Sequence, residues 1–204
     1  FYSTSSFSYK GISNILSCSY KVYRDNFFLH DLLKKQGYDI NFLLSGDMTN
    51  FWRLKNHIKT KSVDLYHDGY TSLKKGISNN VNNDFYNVIK NLEGVKKFNG
   101  VPTMFYFHLM STHQISKLEN SNKIFNPSDI ILTNTEHNKK VLANNYNNRV
   151  HQLDNYLREI FNLLENKNYL ENSIVVITSD HGQSLGERGV YWHGKTTYYE
   201  SVNI

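Results

Sequence analysis

Four β-branched residues, Ile174-Val175-Val176-Ile177, lead through Thr178-Ser179 into Asp180-His181-Gly182. A short apolar run without polar alternation has the pattern of a strand covered on both faces, as inside a parallel sheet. Parallel strands need crossover connections, and helices usually supply them. The rest of the chain alternates to match. Residues 25–36 have helical spacing, with Phe28, Leu29, Leu32 and Leu33 predicted inward and Gly37 as the stop. Residues 38–44 predict a strand, and Val63-Asp64-Leu65-Tyr66 a short edge segment. Residues 83–92 predict a helix with Phe85, Val88, Ile89 and Leu92 on one face and Gly94 after it. Met104-Phe105-Tyr106-Phe107 reads as a second central strand. Residues 116–129 have no period and predict a long loop, a length that is commonly functional. Thr133-Asn134-Thr135-Glu136 has the form of a capping box. It opens a helical region with Leu153, Tyr156, Leu157, Ile160, Phe161 and Leu164 predicted inward. The alternation predicts an α/β fold, a doubly wound, mostly parallel sheet flanked by helices.

A chain of 204 residues is one domain by default, and 39% hydrophobic with 14% aromatic residues is enough for a core. The formal charge of +5 suits an anionic lipid surface or a phosphate substrate. It equally describes a lysine-rich solvated face. No basic stretch is interleaved with aromatics, so no nucleic-acid partner is expected. Cys18 is the single cysteine, which excludes an internal disulfide. No run approaches the roughly eighteen apolar residues of a spanning helix. The chain begins in a Ser/Thr-rich segment and stops at Val202-Asn203-Ile204, which reads as a strand beginning. An excerpt of a longer protein, cut at both ends, is the expectation.

The chemistry gathers where strands end. Asp180 and His181 fall at the C-terminal end of the apolar run, where open α/β sheets bind ligands. A carboxylate beside an imidazole suits zinc or manganese, and Gly182 permits a sharp turn. His193 follows in Gly189-Val190-Tyr191-Trp192-His193-Gly194. The second strand ends in His108-Leu109-Met110-Ser111-Thr112-His113. At the other end of the chain a hydroxyl-rich stretch, residues 1–8, enters a short helix with Ile12, Ile15 and Leu16 at its apolar positions. Ser8 falls near that helix N-terminus, which favours an alkoxide or a bound phosphate. Ser8 or Ser6 as a simple N-cap fits the same residues.

Asp180-His181-Gly182-Gln183-Ser184-Leu185-Gly186-Glu187, followed by Gly189 and His193-Gly194, resembles the metal-site motif of the sulfatase-like branch of the alkaline phosphatase superfamily. The likeness is to bacterial phosphoethanolamine and phosphoglycerol transferases of the cell envelope, and it extends over nearly the whole chain. It implies that residues 1–204 are part of a sulfatase-like catalytic domain. It also implies one or two divalent metals, zinc or manganese, and a covalent phospho-enzyme. Ser8 matches the family's nucleophile position, with Thr4 and Ser6 in reserve. Asp180, His181 and Ser8 are the implied metal ligands, and His113 and His193 the implied phosphate-binding histidines, with His108 structural. Asp47 and Trp52, in Ser45-Gly46-Asp47 and Asn50-Phe51-Trp52-Arg53, match a head-group pocket, although Arg53 is displaced by one from the family's Arg. Ser8-Tyr9-Lys10-Gly11 lacks the Pro and Arg of a sulfatase signature, which speaks for an unmodified hydroxyl. The family's further acidic ligand comes from a strand upstream of the nucleophile.

The implied activity is transfer of phosphoethanolamine or phosphoglycerol from a phospholipid donor to an envelope glycan or lipid. The implied location is the extracytoplasmic face of a bacterial inner membrane, anchored through segments outside this chain. A sulfatase or phosphodiesterase of the same superfamily, or a degenerate non-catalytic domain, are the alternatives.

Overall fold

The structure is a computed structural model that describes residues 2–19, 27–51, 53–128 and 136–204. Its helices and strands in chain order are α1 (Ser8–Ser17), α2 (Leu29–Lys35), β1 (Asp39–Leu44), α3 (Leu54–His57), β2 (Leu65–His67) and α4 (Gly69–Lys74). A π-turn, Phe85–Ile89, then runs into α5 (Lys90–Glu93), followed by β3 (Thr103–His108), α6 (Glu136–Asn166), β4 (Ser184–Leu185), β5 (Tyr191–Trp192) and α7 (Tyr199–Val202). The predicted capping box and Trp52 lie outside the described residues.

The three main strands form a parallel sheet in the order β2-β1-β3. Asn41 pairs with both Leu65 and Phe105, which sets the register. β1 is central and buried along nearly its whole length. Its side chains alternate between two cores, as period-2 geometry requires. Ile40, Phe42 and Leu44 face Ile12 and Leu16 of α1, Phe28, and Leu54 and Ile58 near α3. Leu43 faces Val88, Ile89 and Leu92, with Tyr156, Ile160 and Leu164 of α6 behind them. Helices therefore cover both faces, the α/β architecture that the alternation predicts.

Five readings need correction. Residues 174–177 are extended but form no strand, and none of their backbone groups is bonded to a strand among the described residues. Ile174, Val175, Val176 and Ile177 are 94%, 53%, 78% and 67% exposed. Contacts flank the run on both sides. Tyr169 packs its ring on Phe105 at 4.8 Å, and at the other end Ser3 Oγ donates to the Asp180 carbonyl. β3 shares the condition. It is paired on one side only, an edge and not a central strand among the described residues, and all six of its residues are just partly buried. β-branched residues specify an extended backbone but not the neighbour that would pair with it.

In α2, Leu29 and Leu32 face solvent while Phe28, its N-cap, and Leu33 reach the core. The helix begins only at Leu29, and Phe28 reaches the core from an extended N-cap outside the helical face. Val202 ends a helical turn and does not start a strand, and Asn203 makes an isolated antiparallel bridge to Tyr2. Gly182 is needed for close approach and not for a special turn. A Cβ there would meet the Glu200 carbonyl oxygen at 2.3 Å.

Candidate active site

Three segments meet above the C-terminal edge of the sheet. The first is the entry to α1. Phe7 is extended and caps the helix without a side-chain bond, and Ser8 is the first helical residue. The second is the turn at residues 180–183, and the third is the loop after β3. The first two are both bonded to the backbone of α7. Ser3 N–H donates to the Val202 carbonyl at 2.7 Å and Gly182 N–H to the Ser201 carbonyl at 2.9 Å. α1 can approach only because Gly11 has no side chain, since a Cβ there would lie 2.2 Å from the Asp180 carbonyl oxygen.

That approach sets the central contact. Ser8 Oγ lies 3.0 Å from His181 Nε2. The other ring nitrogen, Nδ1, donates to the Gly182 carbonyl at 2.9 Å, so Nε2 carries the lone pair and Ser8 O–H donates to it. Asp180 accepts from the His181 N–H at 3.1 Å, and its other oxygen is 3.4 Å from His181 Nε2.

Two more imidazoles complete the cluster. The His193 ring is 4.1 Å from that of His181, and His113 is 5.0 Å from His193. His193 Nδ1 donates to Gln183 Oε1 at 2.8 Å. His113 Nδ1 accepts from the Ile115 N–H at 3.3 Å, which leaves its Nε2 as a donor. Burial, and then the His193 and His181 rings, bring the His113 pKa down to about 4. Burial, and then His181, bring His193 down to about 4. Both rings are therefore neutral at pH 7, and in that state His113 meets an anion as a hydrogen-bond donor.

Sequence reasoning named these four groups, and the structure gathers Ser8, His113, His181 and His193 with Asp180. The reserve hydroxyls are placed differently. Thr4 Oγ1 accepts from Asn14 Nδ2 at 2.6 Å, and Ser6 is buried. His108 bonds the Ser45 carbonyl through Nδ1 at 3.2 Å, consistent with a structural part. Asp47 caps its own turn, accepting from the Thr49 and Asn50 N–H groups at 3.1 and 2.8 Å. Among the described residues, no hydrogen bond joins Asp47 to the histidines.

Several residues that hold the His113 loop were missed. Asp84 is fully enclosed and accepts from the Met110 and Ser111 N–H groups at 2.9 and 2.7 Å. Burial raises its pKa, against the pull of those donors. From α6, Arg149 and Gln152 reach the same loop, and burial lowers the guanidinium pKa. The signal for them was present. Arg149, Gln152 and Tyr156 are spaced to share one helix face, so polar residues continue the apolar stripe that includes Ile160 and Leu164.

A carboxylate, an imidazole and a hydroxyl close together are a donor set that fits a divalent cation. A ligating imidazole usually donates its second N–H to a carbonyl, as His181 does to Gly182. Among the described residues, no group of three His, Cys, Asp or Glu side chains is arranged to hold a metal. The fit is thus that of two ligands and a hydroxyl.

Known proteins share this framework. The soluble domain of lipooligosaccharide phosphoethanolamine transferase A from Neisseria meningitidis superposes with a TM-score of 0.73 at 17% identity, over 98% of this chain and 61% of that one. At that identity the match shows the fold. Phosphoethanolamine transferase EptA of Salmonella typhimurium is 43% identical over 53 residues, and that of Escherichia coli strain K12 39% over 56. Those stretches cover 26% and 28% of this chain, and the chain matches about 10% of the length of each relative. The family model described as Sulfatase matches residues 2–202. Spanning nearly every residue, that match shows that the chain belongs to the sulfatase family.

Proposed function

We propose that this domain transfers a phosphorus-bearing head group, phosphoethanolamine or phosphoglycerol, from a phospholipid to an envelope glycan or lipid. The observation that carries the proposal is the Ser8 hydroxyl, 3.0 Å from an acceptor nitrogen of His181 at a helix N-terminus and beside two further imidazoles. The named relatives are phosphoethanolamine transferases, which favours that head group.

Ser8 attacks phosphorus, the bond to the lipid oxygen breaks, and the head group stays on Ser8 as a phosphodiester. His181 Nε2 accepts the Ser8 O–H, and because its Nδ1 is held by Gly182 it is also the nitrogen that would ligate a cation, in which case the Ser8 proton would leave to solvent. His113, as an Nε2–H donor, binds a phosphoryl oxygen and neutralises developing charge. His193 borders the same group with its Nδ1–H held by Gln183 and Nε2 unprotonated, so the leaving oxygen takes its proton from solvent. The acceptor hydroxyl then displaces Ser8 in the second step. A divalent cation, zinc or manganese, fits at Asp180 and His181 with Ser8, and when bound supplies charge that lowers the hydroxyl pKa. Head-group contacts from Asp47 and Trp52 belong to the same proposal. Among the described residues no helix is long and apolar enough to cross a membrane. The proposed anchor in a bacterial inner membrane, with the site on its outer side, lies in other segments.

The test is Ser8→Ala in the full-length protein. Turnover falls to background while the fold is kept, and mass spectrometry of the wild type finds the adduct on Ser8. An adduct on Thr4 or Ser6 moves the nucleophile, and full activity of the variant sinks the mechanism. A burst with aryl sulfate but none with phospholipid selects the hydrolase reading that the family name also permits.

A further inference from the structure

We propose that Arg149 is a buried cation belonging to the anion site and the residue that positions His113. It rests on the phosphoryl-transfer function above and adds a group to that site. After β3 the chain crosses residues 110–126 with one short helical turn, Asn120–Asn122. A loop so irregular needs its carbonyls satisfied by other groups. Three side chains of α6 do this. Asn148 Oδ1 accepts from the Ile124 and Phe125 N–H groups at 2.9 and 2.8 Å. Gln152 Nε2 donates to the Lys117 carbonyl at 2.7 Å and Oε1 accepts from the Glu119 N–H at 2.8 Å. Arg149 holds the part that carries His113.

Arg149 is 3% exposed, and its guanidinium spends every arm on the loop or its own helix. Nη1 donates to the His113 carbonyl at 3.1 Å and to the Ser116 carbonyl and Oγ, each at 3.0 Å. Nη2 donates to the Gln114 carbonyl at 3.1 Å, and Nε to Asn145 Oδ1 at 2.8 Å. All five acceptors are neutral. Among the described residues, no carboxylate is paired with it.

A buried cation without a counter-ion is expensive. Neutral amides do the same stapling next to it at Asn148 and one turn on at Gln152, so holding a loop does not by itself require a charge. The charge lies directly behind the His113 backbone, and the His113 ring presents Nε2–H into the histidine cluster. A bound phosphoryl group supplies the missing negative charge across a low-dielectric layer. The planar fork spans three carbonyl acceptors, those of His113, Gln114 and Ser116, which a lysine ammonium cannot do. Position and charge are thus two separable contributions of one side chain.

The experiment uses the full-length, metal-loaded protein with Arg149→Lys and Asn145→Asp, the second placing a carboxylate on the Nε arm so that the fork remains but its charge is balanced. Arg149→Met is made as well, and Asn145→Asp keeps the test alive if it fails to fold. Equilibrium binding of inorganic phosphate, turnover, metal content and the His113 ring 15N shifts are measured. Arg149→Lys is expected to hold phosphate within about threefold but to lose kcat on the order of a hundredfold, with changed His113 shifts, because the ring is no longer fixed. Asn145→Asp is expected to weaken phosphate about tenfold and raise KM, with kcat and the shifts near wild type. Metal content stays unchanged in both. Wild-type phosphate affinity and turnover in both folded variants would overturn the proposal and leave Arg149 a structural tether, and absence of phosphate binding in the wild type overturns it too. If the wild type binds phosphate yet transfers no head group, the function proposed above fails, while the phosphate affinities and ring shifts still decide the role of Arg149.

Discussion

A methyl group on Gly11 would lie 2.2 Å from the Asp180 carbonyl oxygen, a backbone atom that cannot swing aside. α1 would have to move by about an ångström, and such overpacking costs about 1–3 kcal/mol. Ser8 sits one turn earlier on the same helix. We therefore expect Gly11→Ala to fold with a lowered thermal midpoint and to lose turnover by about a hundredfold, the cost of misplacing a reacting group by that distance. Turnover within twofold of wild type would show that the Ser8–His181 distance does not matter. At this scale much of the site was legible, because Ser8 opens a helix, His193 follows β5, His113 lies in the loop after β3, and His181 belongs to the Asp-His-Gly motif. Gly11 was not, because its constraint comes from a carbonyl 169 positions away in the chain, between Gly11 and Asp180.

Among the elements, the run at residues 174–177 and the free edge of β3 carry the same liability. Both present unpaired backbone beside apolar side chains, a template for pairing with other chains. Residues 1–204 expressed alone are expected to be poorly soluble. Val176→Lys, at a position 78% exposed, should change stability by no more than about 0.5 kcal/mol while raising the soluble fraction. Equal sedimentation of the two proteins would clear the run of blame. β1, β2, β3 and the long α6 were readable from periodicity and apolar content. The state of residues 174–177 was not, since hydrophobicity says that burial is favourable and is silent about what does the burying. The polar stripe of Asn148, Arg149 and Gln152 on α6 was missed for the mirror reason. Those residues look like a solvated face until a loop is found lying on them.

Over the whole molecule, acid should loosen the fold. His67 in β2 has its pKa lowered, first by burial and then by the Lys75 charge, with Asp68 acting in the opposite sense. Its Nδ1 is buried without a partner. Below pH about 6.5 the unfolded chain binds a proton that the folded His67 resists, so stability falls as pH drops through that range. Asp64 adds to the trend at lower pH. Burial raises its pKa, but the Lys34 ammonium at 2.6 Å and the Ile40 N–H outweigh that and hold it below 3.8. Its contribution is present above 3.8 and is lost as pH falls through the depressed value. Urea midpoints at pH 7.5 and 5 should show the first effect, and His67→Asn should narrow the difference between them. An unchanged gap in the variant would assign the pH response to other groups.

The tethers on the His113 loop reach across the sequence, from 23 residues for Asn148 to Phe125 up to 41 for Gln152 to Ser111. Those from Asn148, Arg149 and Gln152 cannot form until α6 has docked on the sheet, whereas the Asp84 bonds come from the segment before the π-turn. Conversely, a transient lifting of α6 releases the loop while the hydrogen bonds of β1, β2 and β3 persist. Competence at the anion site is then governed by a local opening equilibrium, whose free energy is smaller than that of global unfolding. Amide protons of residues 113–119 should belong to the same exchanging unit as the middle of α6, so that the protein is switched off by agitation well short of denaturation.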